Sequence, residues 1–141
     1  MGSYFYEDEE KGMLKEEFLD KSAKDWAKSF INPKFDSRDR NPKLTSAQLR
    51  RFHIEAKTLE TKVNALENPK DEFLKLRPIV KMLKSKVAYA CPIPGRDKKI
   101  PEEFRRYIEE MVDNIDDYKD FKAFCLCFAA VVGFFYGEGG R

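Results

Sequence analysis

Histidine is nearly missing from this 141-residue chain: His53 stands alone, beside three cysteines at 91, 125 and 127. With no CxxC spacing and no second histidine, these residues do not make the four-ligand pattern of a structural zinc site. Three is also an odd number for a disulfide framework, so the thiols are expected to be reduced and the protein cytoplasmic. Glycine is sparse as well. The segment "GRDKK" at 95–99 follows no strand and has no second glycine, which excludes a phosphate-cradling loop. The acidic run "EEMVDNIDDYKD" at 109–120 lacks the spaced oxygen ligands and glycine of a calcium loop and reads as solvated acids between two helices. No serine or cysteine stands in an obvious nucleophile–base relation to His53, whose expected place is the polar face of a helix beside Arg50. Neither catalysis nor a metal nor a cofactor is expected.

Long hydrophobic runs are absent with one exception, "FKAFCLCFAAVVGFFYG" at 121–137. It is shorter than the ~20 residues that span a bilayer, contains Lys122 and is flanked by acids. It is expected to be the buried centre of a bundle and not a membrane segment. The acidic N-terminus lacks the basic-then-apolar pattern of a signal peptide. Stretches that alternate apolar and polar residues with β-branched enrichment are missing too, which predicts no sheet.

What is present is charge on an apolar frame: 42% hydrophobic and 37% charged residues with a net charge of only +2. The charges are segregated, with 1–20 and 107–120 acidic and 21–51 and 67–86 basic. The length suits one domain, 1–141. Helical periodicity predicts a first helix over 12–31, with Leu19, Ala23, Trp26 and Phe30 in register, and a polar connection over 32–43. A second helix opens with a capping box, Thr45 and Gln48, and carries a seam of Leu49, Phe52, Ala56, Leu59, Val63 and Leu66. A third spans about 69–90 with a kink or break at Pro78. A fourth starts near Pro101 and buries Phe104, Ile108, Met111 and Ile115, and the fifth is the apolar one. The fold class is therefore all-α, a single-domain bundle of about five helices.

Function is left to surfaces. On the second helix the adjacent Arg50 and Arg51 point about 100° apart. Arg50 aligns with His53 and Lys57, whereas Arg51 has Glu55 as a neighbour at i+4, so an anion would favour Arg50. On the third helix Ile79, Val80, Leu83 and Val87 are expected inward, and Arg77, Lys81 and Lys84 outward. Lys86 falls toward the apolar side, where it must snorkel or lie at an interface. The following loop adds Arg96, Lys98 and Lys99. Two cationic stripes and a basic loop suit the phosphates of a nucleic acid.

"LTSAQLRRFHIEAKTLE", "LKSKVAYACPIPGR", "IPEEFRRYIEEMVDNI" and "DFKAFCLCFAAVVGFFYGEGG" resemble the small helical subunit of type III-A CRISPR effector complexes, the Csm ribonucleoproteins, in a resemblance that runs over roughly residues 44–137. The resemblance implies a non-catalytic bundle whose copies stack beside the backbone subunits. Its basic residues would face the target RNA paired with the guide RNA, and the large subunit would be a further partner. An arginine after the "LTxxxL" helix start is Arg50 here. The "LKxK" run is Lys84 and Lys86, followed by the aromatic Tyr89, and the loop "GR" is Arg96. The resemblance thus implies Arg50, Lys84, Lys86 and Arg96 as RNA contacts, and stripe geometry adds Lys57, Arg77 and Lys81. Two other readings remain at this point: a helical module that binds only protein, and an unrecognised hydrolase or nuclease.

Overall fold

The computed structural model of the chain describes residues 4–8, 10, 12–34, 41–91 and 98–141. Among these residues it has six α-helices: α1 Lys21–Ile31, α2 Ser46–Asn64, α3 Pro69–Glu72, α4 Arg77–Ala90, α5 Glu102–Asp113 and α6 Tyr118–Gly137. A small antiparallel hairpin of β1 Tyr6–Asp8 and β2 Met13–Leu14 precedes them, with Tyr6 opposite Leu14 and Asp8 opposite Met13. The fold is thus mostly helical, but the expectations of no sheet and of five helices are both corrected.

The hairpin replaces the start of the expected first helix. Gly12 takes a left-handed φ of 66°, a turn conformation open to glycine. Strands of three and two residues are too short to show any alternation in the sequence. Aromatic anchoring holds them: Phe5 is fully buried, Tyr6 donates through Oη to Lys119 O at 2.7 Å, and Tyr4 donates to Glu110 at 2.5 Å. These bonds also bring the acidic N-terminal segment against the acidic end of α5 and start of α6. A 3₁₀ turn, Glu16–Leu19, then leads into α1, which buries Ala23, Ala27 and Phe30 and leaves Leu19 exposed.

Local signals set α2 as expected. Gln48 N donates to Thr45 Oγ1 at 3.2 Å and Thr45 N donates to Gln48 Oε1 at 2.9 Å, closing the capping box. Leu49, Ala56, Leu59 and Val63 are buried along the seam. The expected break near Pro78 is complete, which raises the helix count to six. After α3 a 3₁₀ turn, Phe73–Lys75, intervenes, and Pro78 sits in the first turn of α4, where its missing N–H costs nothing. The polar connection is stitched to α5. Asn41 accepts from Glu102 N at 2.8 Å and donates to Glu103 Oε1 at 2.7 Å, supplying the cap that Pro101 does not.

At 20 residues α6 is long and apolar enough to cross a bilayer, so the expected shortness of its apolar run does not decide the matter. Its place does: α1 and α2 pack on it, and Phe121, Phe124, Cys127, Phe128, Val131 and Phe135 are buried. Phe128 meets Phe104 and Tyr107 of α5 at centroid distances of 6.3 and 6.0 Å, and Phe30 of α1 meets Phe104 edge-on at 5.1 Å. Such aromatic packing makes the middle of the core rigid and specific.

The start of α6 also carries a buried carboxyl. Asp117 Oδ1 accepts from Asp120 N at 2.9 Å, and Asp120 Oδ2 accepts from Asp116 N at 3.0 Å. Burial, with the charge of Asp117 adding to it, pushes the Asp120 carboxyl up to about 6 from an ordinary 3.8. The folded chain therefore holds this proton when the unfolded chain has lost it. The contribution is fullest below the ordinary value and falls as pH rises through about 6. The helix dipole favours an acid here by only ~0.3–1 kcal/mol, which the cost of burying the charge outweighs. Asp120→Asn keeps the acceptor and removes the charge. Its melting temperature should exceed the parent's above pH 6 and converge with it near pH 3.8. Equal melting temperatures at every pH would contradict this.

Candidate nucleic-acid interface

Two helices that pack on different partners leave room between them. The main helical contact of α2 is with α6, and that of α4 is with α5. The groove between α2 and α4 has a volume of about 600 Å³. Its floor is apolar: Phe52 rests edge-on against Phe104 at 5.1 Å, and Ile100 is buried. Its rim is cationic, with Arg51 from α2, Lys86 from α4 and Lys99 from the segment before α5, against one acid, Glu55.

The rim is held by bonds that can be traced to the sequence. Lys99 N donates to Ala90 O at 2.9 Å, so the end of α4 receives the returning chain. Gln48 works in both directions: the carboxamide oxygen that closes the α2 capping box leaves its Nε2 free to donate to Lys99 O at 2.6 Å. Lys86 Nζ reaches across the groove to Glu55 Oε2 at 2.6 Å. Tyr89, one turn beyond Lys86, is 84% exposed at the groove's edge.

The residues expected at an RNA surface fall into four groups. Arg50 and Lys57 are exposed on α2 and do not line the groove, and their side chains make no hydrogen bond or ion pair among the described residues. Arg77, Lys81 and Lys84 do not form a free outward stripe. Arg77 pairs with Asp116 at 3.1 Å, Lys81 donates to Val112 O at 3.0 Å, and Lys84 pairs with Asp113. All three face the carboxyl end of α5, where cations offset the negative end of the dipole. Periodicity within α4 gives no sign of this, because the neighbouring helix fills the space. Lys86 lies between two helices, as its position toward the apolar side suggested. Arg96 lies outside the described residues. Ile79, expected inward, is 40% exposed and lies beside Met82 on a side of α4 turned toward α2.

Arg51 is the residue that helical geometry disfavoured. Its i+4 neighbour Glu55 is instead bound to Lys86, and this leaves Arg51 on the rim. Only the approach of α4 could reveal that. His53 is likewise displaced from its expected polar face. It is half-buried with its ring 5.4 Å from Phe128, and burial, assisted by the charge of Lys57, holds its pKa below the ordinary value. Burial pushes the Cys125 thiol up, with Glu60 adding to the effect, and the Cys127 thiol up to about 12. Both stay protonated near neutral pH, the reverse of what an attacking or metal-binding thiolate needs. Among the described residues no group of three or more His, Cys, Asp or Glu could hold a metal ion.

A cationic rim over an apolar floor can bind phosphates without reading sequence. The family model described as Csm2 Type III-A matches residues 14–140 of this chain. No curated protein and no solved structure shows a match to it.

Proposed function

The chain belongs to the Csm2 family, the small subunit of type III-A CRISPR effector complexes, and from that premise we propose that it holds RNA by its phosphates in the groove between α2 and α4. The observation that carries this reading is the concentration of Arg51, Lys86 and Lys99 on one rim beside a single acid, while Arg77, Lys81 and Lys84 are occupied by α5. Arg50 and Lys57 are exposed on the same helix outside the groove and are further cations that RNA could meet.

The role is structural. Base pairing between guide RNA and target RNA supplies specificity, so this subunit has no need to read base sequence. One copy meets few phosphates and binds weakly, and copies stacked beside the backbone and large subunits add their contacts. The setting is the cytoplasm, where the guide-loaded complex meets its target. A second reading, a helical module that binds only protein, draws on the exposed apolar side chains Leu74, Ile79 and Met82.

Fluorescence anisotropy of a labelled single-stranded RNA separates the two. With three rim cations engaged, log K should fall against log salt with a slope of about −2, at roughly −0.7 per phosphate neutralised. An absence of binding even at low salt would overturn RNA holding by the chain itself and favour the protein-only reading.

A further inference from the structure

We propose that the groove between α2 and α4 takes a single unpaired nucleotide, with its base against the ring of Tyr89 and its phosphate among Arg51, Lys86 and Lys99. This rests on the RNA-holding reading above and goes further by naming the form of RNA that fits. Tyr89 is the most exposed large apolar side chain among the described residues, at 84%. Its ring stacks on no other aromatic ring among them, and its hydroxyl makes no hydrogen bond there. The fold therefore makes no use of this ring.

The position is specific. Lys86 and Tyr89 are three residues apart on one helix and so share a face. Lys99 is fixed beside them, because its N–H bonds the carbonyl of Ala90, the residue next to Tyr89. Arg51 closes the opposite wall. An exposed aromatic ring beside several cations is the combination by which proteins hold single strands: the ring stacks on a base, and the cations follow the backbone. A paired base has both faces covered by its neighbours in the helix and offers none to a side chain, so the ring selects an unpaired nucleotide. The groove's volume of about 600 Å³ lies within the ~300–1,000 Å³ that pockets for small ligands occupy. The apolar floor of Phe52 and Ile100 suits the flat face or edge of a base better than it suits a hydrated phosphate.

The test compares the full-length parent with Tyr89→Ala and Tyr89→Phe. The probes are a single-stranded RNA and a fully paired RNA duplex of equal length, each over a salt series. Stacking predicts that Tyr89→Ala weakens single-strand binding about 5- to 100-fold, with an unchanged salt slope and little effect on the duplex. Tyr89→Phe should bind as the parent does. Because the side chain is exposed, circular dichroism of both variants should match the parent. Equal weakening for single strand and duplex, or no weakening by Tyr89→Ala, would overturn the inference and leave the phosphate reading intact. If the parent binds no RNA at all, the phosphate reading fails and the inference falls with it.

Discussion

Phe128→Ala is expected to destabilise the fold by about 3–5 kcal/mol, a large part of the ~5–15 kcal/mol that holds a domain of ordinary size together. Phe128 is 1% exposed, and its ring meets His53 of α2, Phe104 and Tyr107 of α5, and Phe124 of its own helix at 5.4 to 6.3 Å. Removing it leaves a cavity where three helices meet. The surrounding rings are held by further contacts, Phe104 by Phe30 and Phe52 and Tyr107 by Trp26, so the site collapses poorly. Denaturant unfolding of parent and variant measures the loss. A value under ~1 kcal/mol, typical of surface changes, would mean that α6 is not the centre of the core.

The combined variant Arg51→Ala, Lys86→Ala and Lys99→Ala is expected to lose affinity for single-stranded RNA on the order of 100-fold at low salt, taking ~1 kcal/mol for each exposed charge contact. The salt slope should flatten by about 2. A matched variant, Arg77→Ala, Lys81→Ala and Lys84→Ala, removes as much positive charge from the chain. Those cations serve the end of α5, so its cost should appear as lost stability, with the salt slope unchanged. Comparing the two separates the groove from a general effect of net charge. If both flatten the slope equally, RNA is held by diffuse charge and the groove has no special part.

What could be read in the sequence was what neighbouring residues decide among themselves. The Thr45–Gln48 box, the break at Pro78, the buried stripe of α5 and the central place of α6 depend on spacing within one helix, and each is found. The hairpin was hidden because two or three residues show no period, and its stability comes from Phe5, Tyr4 and Tyr6 docking on distant helices. Arg77, Lys81 and Lys84 looked solvent-facing because nothing in α4 announces that α5 ends beside them. The groove was invisible for the same reason. It belongs to no element and exists only as the space between two, so Arg51 could be weighed against its helical neighbour but not against Lys86.

The bond between Lys86 and Glu55 gives each copy its own internal counter-ion. If the groove holds RNA as proposed, an entering strand would have to take Lys86 away from Glu55, so part of the attraction between Lys86 and a phosphate would offset a contact the empty subunit already has. A subunit built this way would compete poorly for stray transcripts while free. Its grip would become decisive only where neighbouring copies presented their grooves along one continuous strand, and the acid that weakens a single site would then sharpen the difference between an assembled complex and its loose parts.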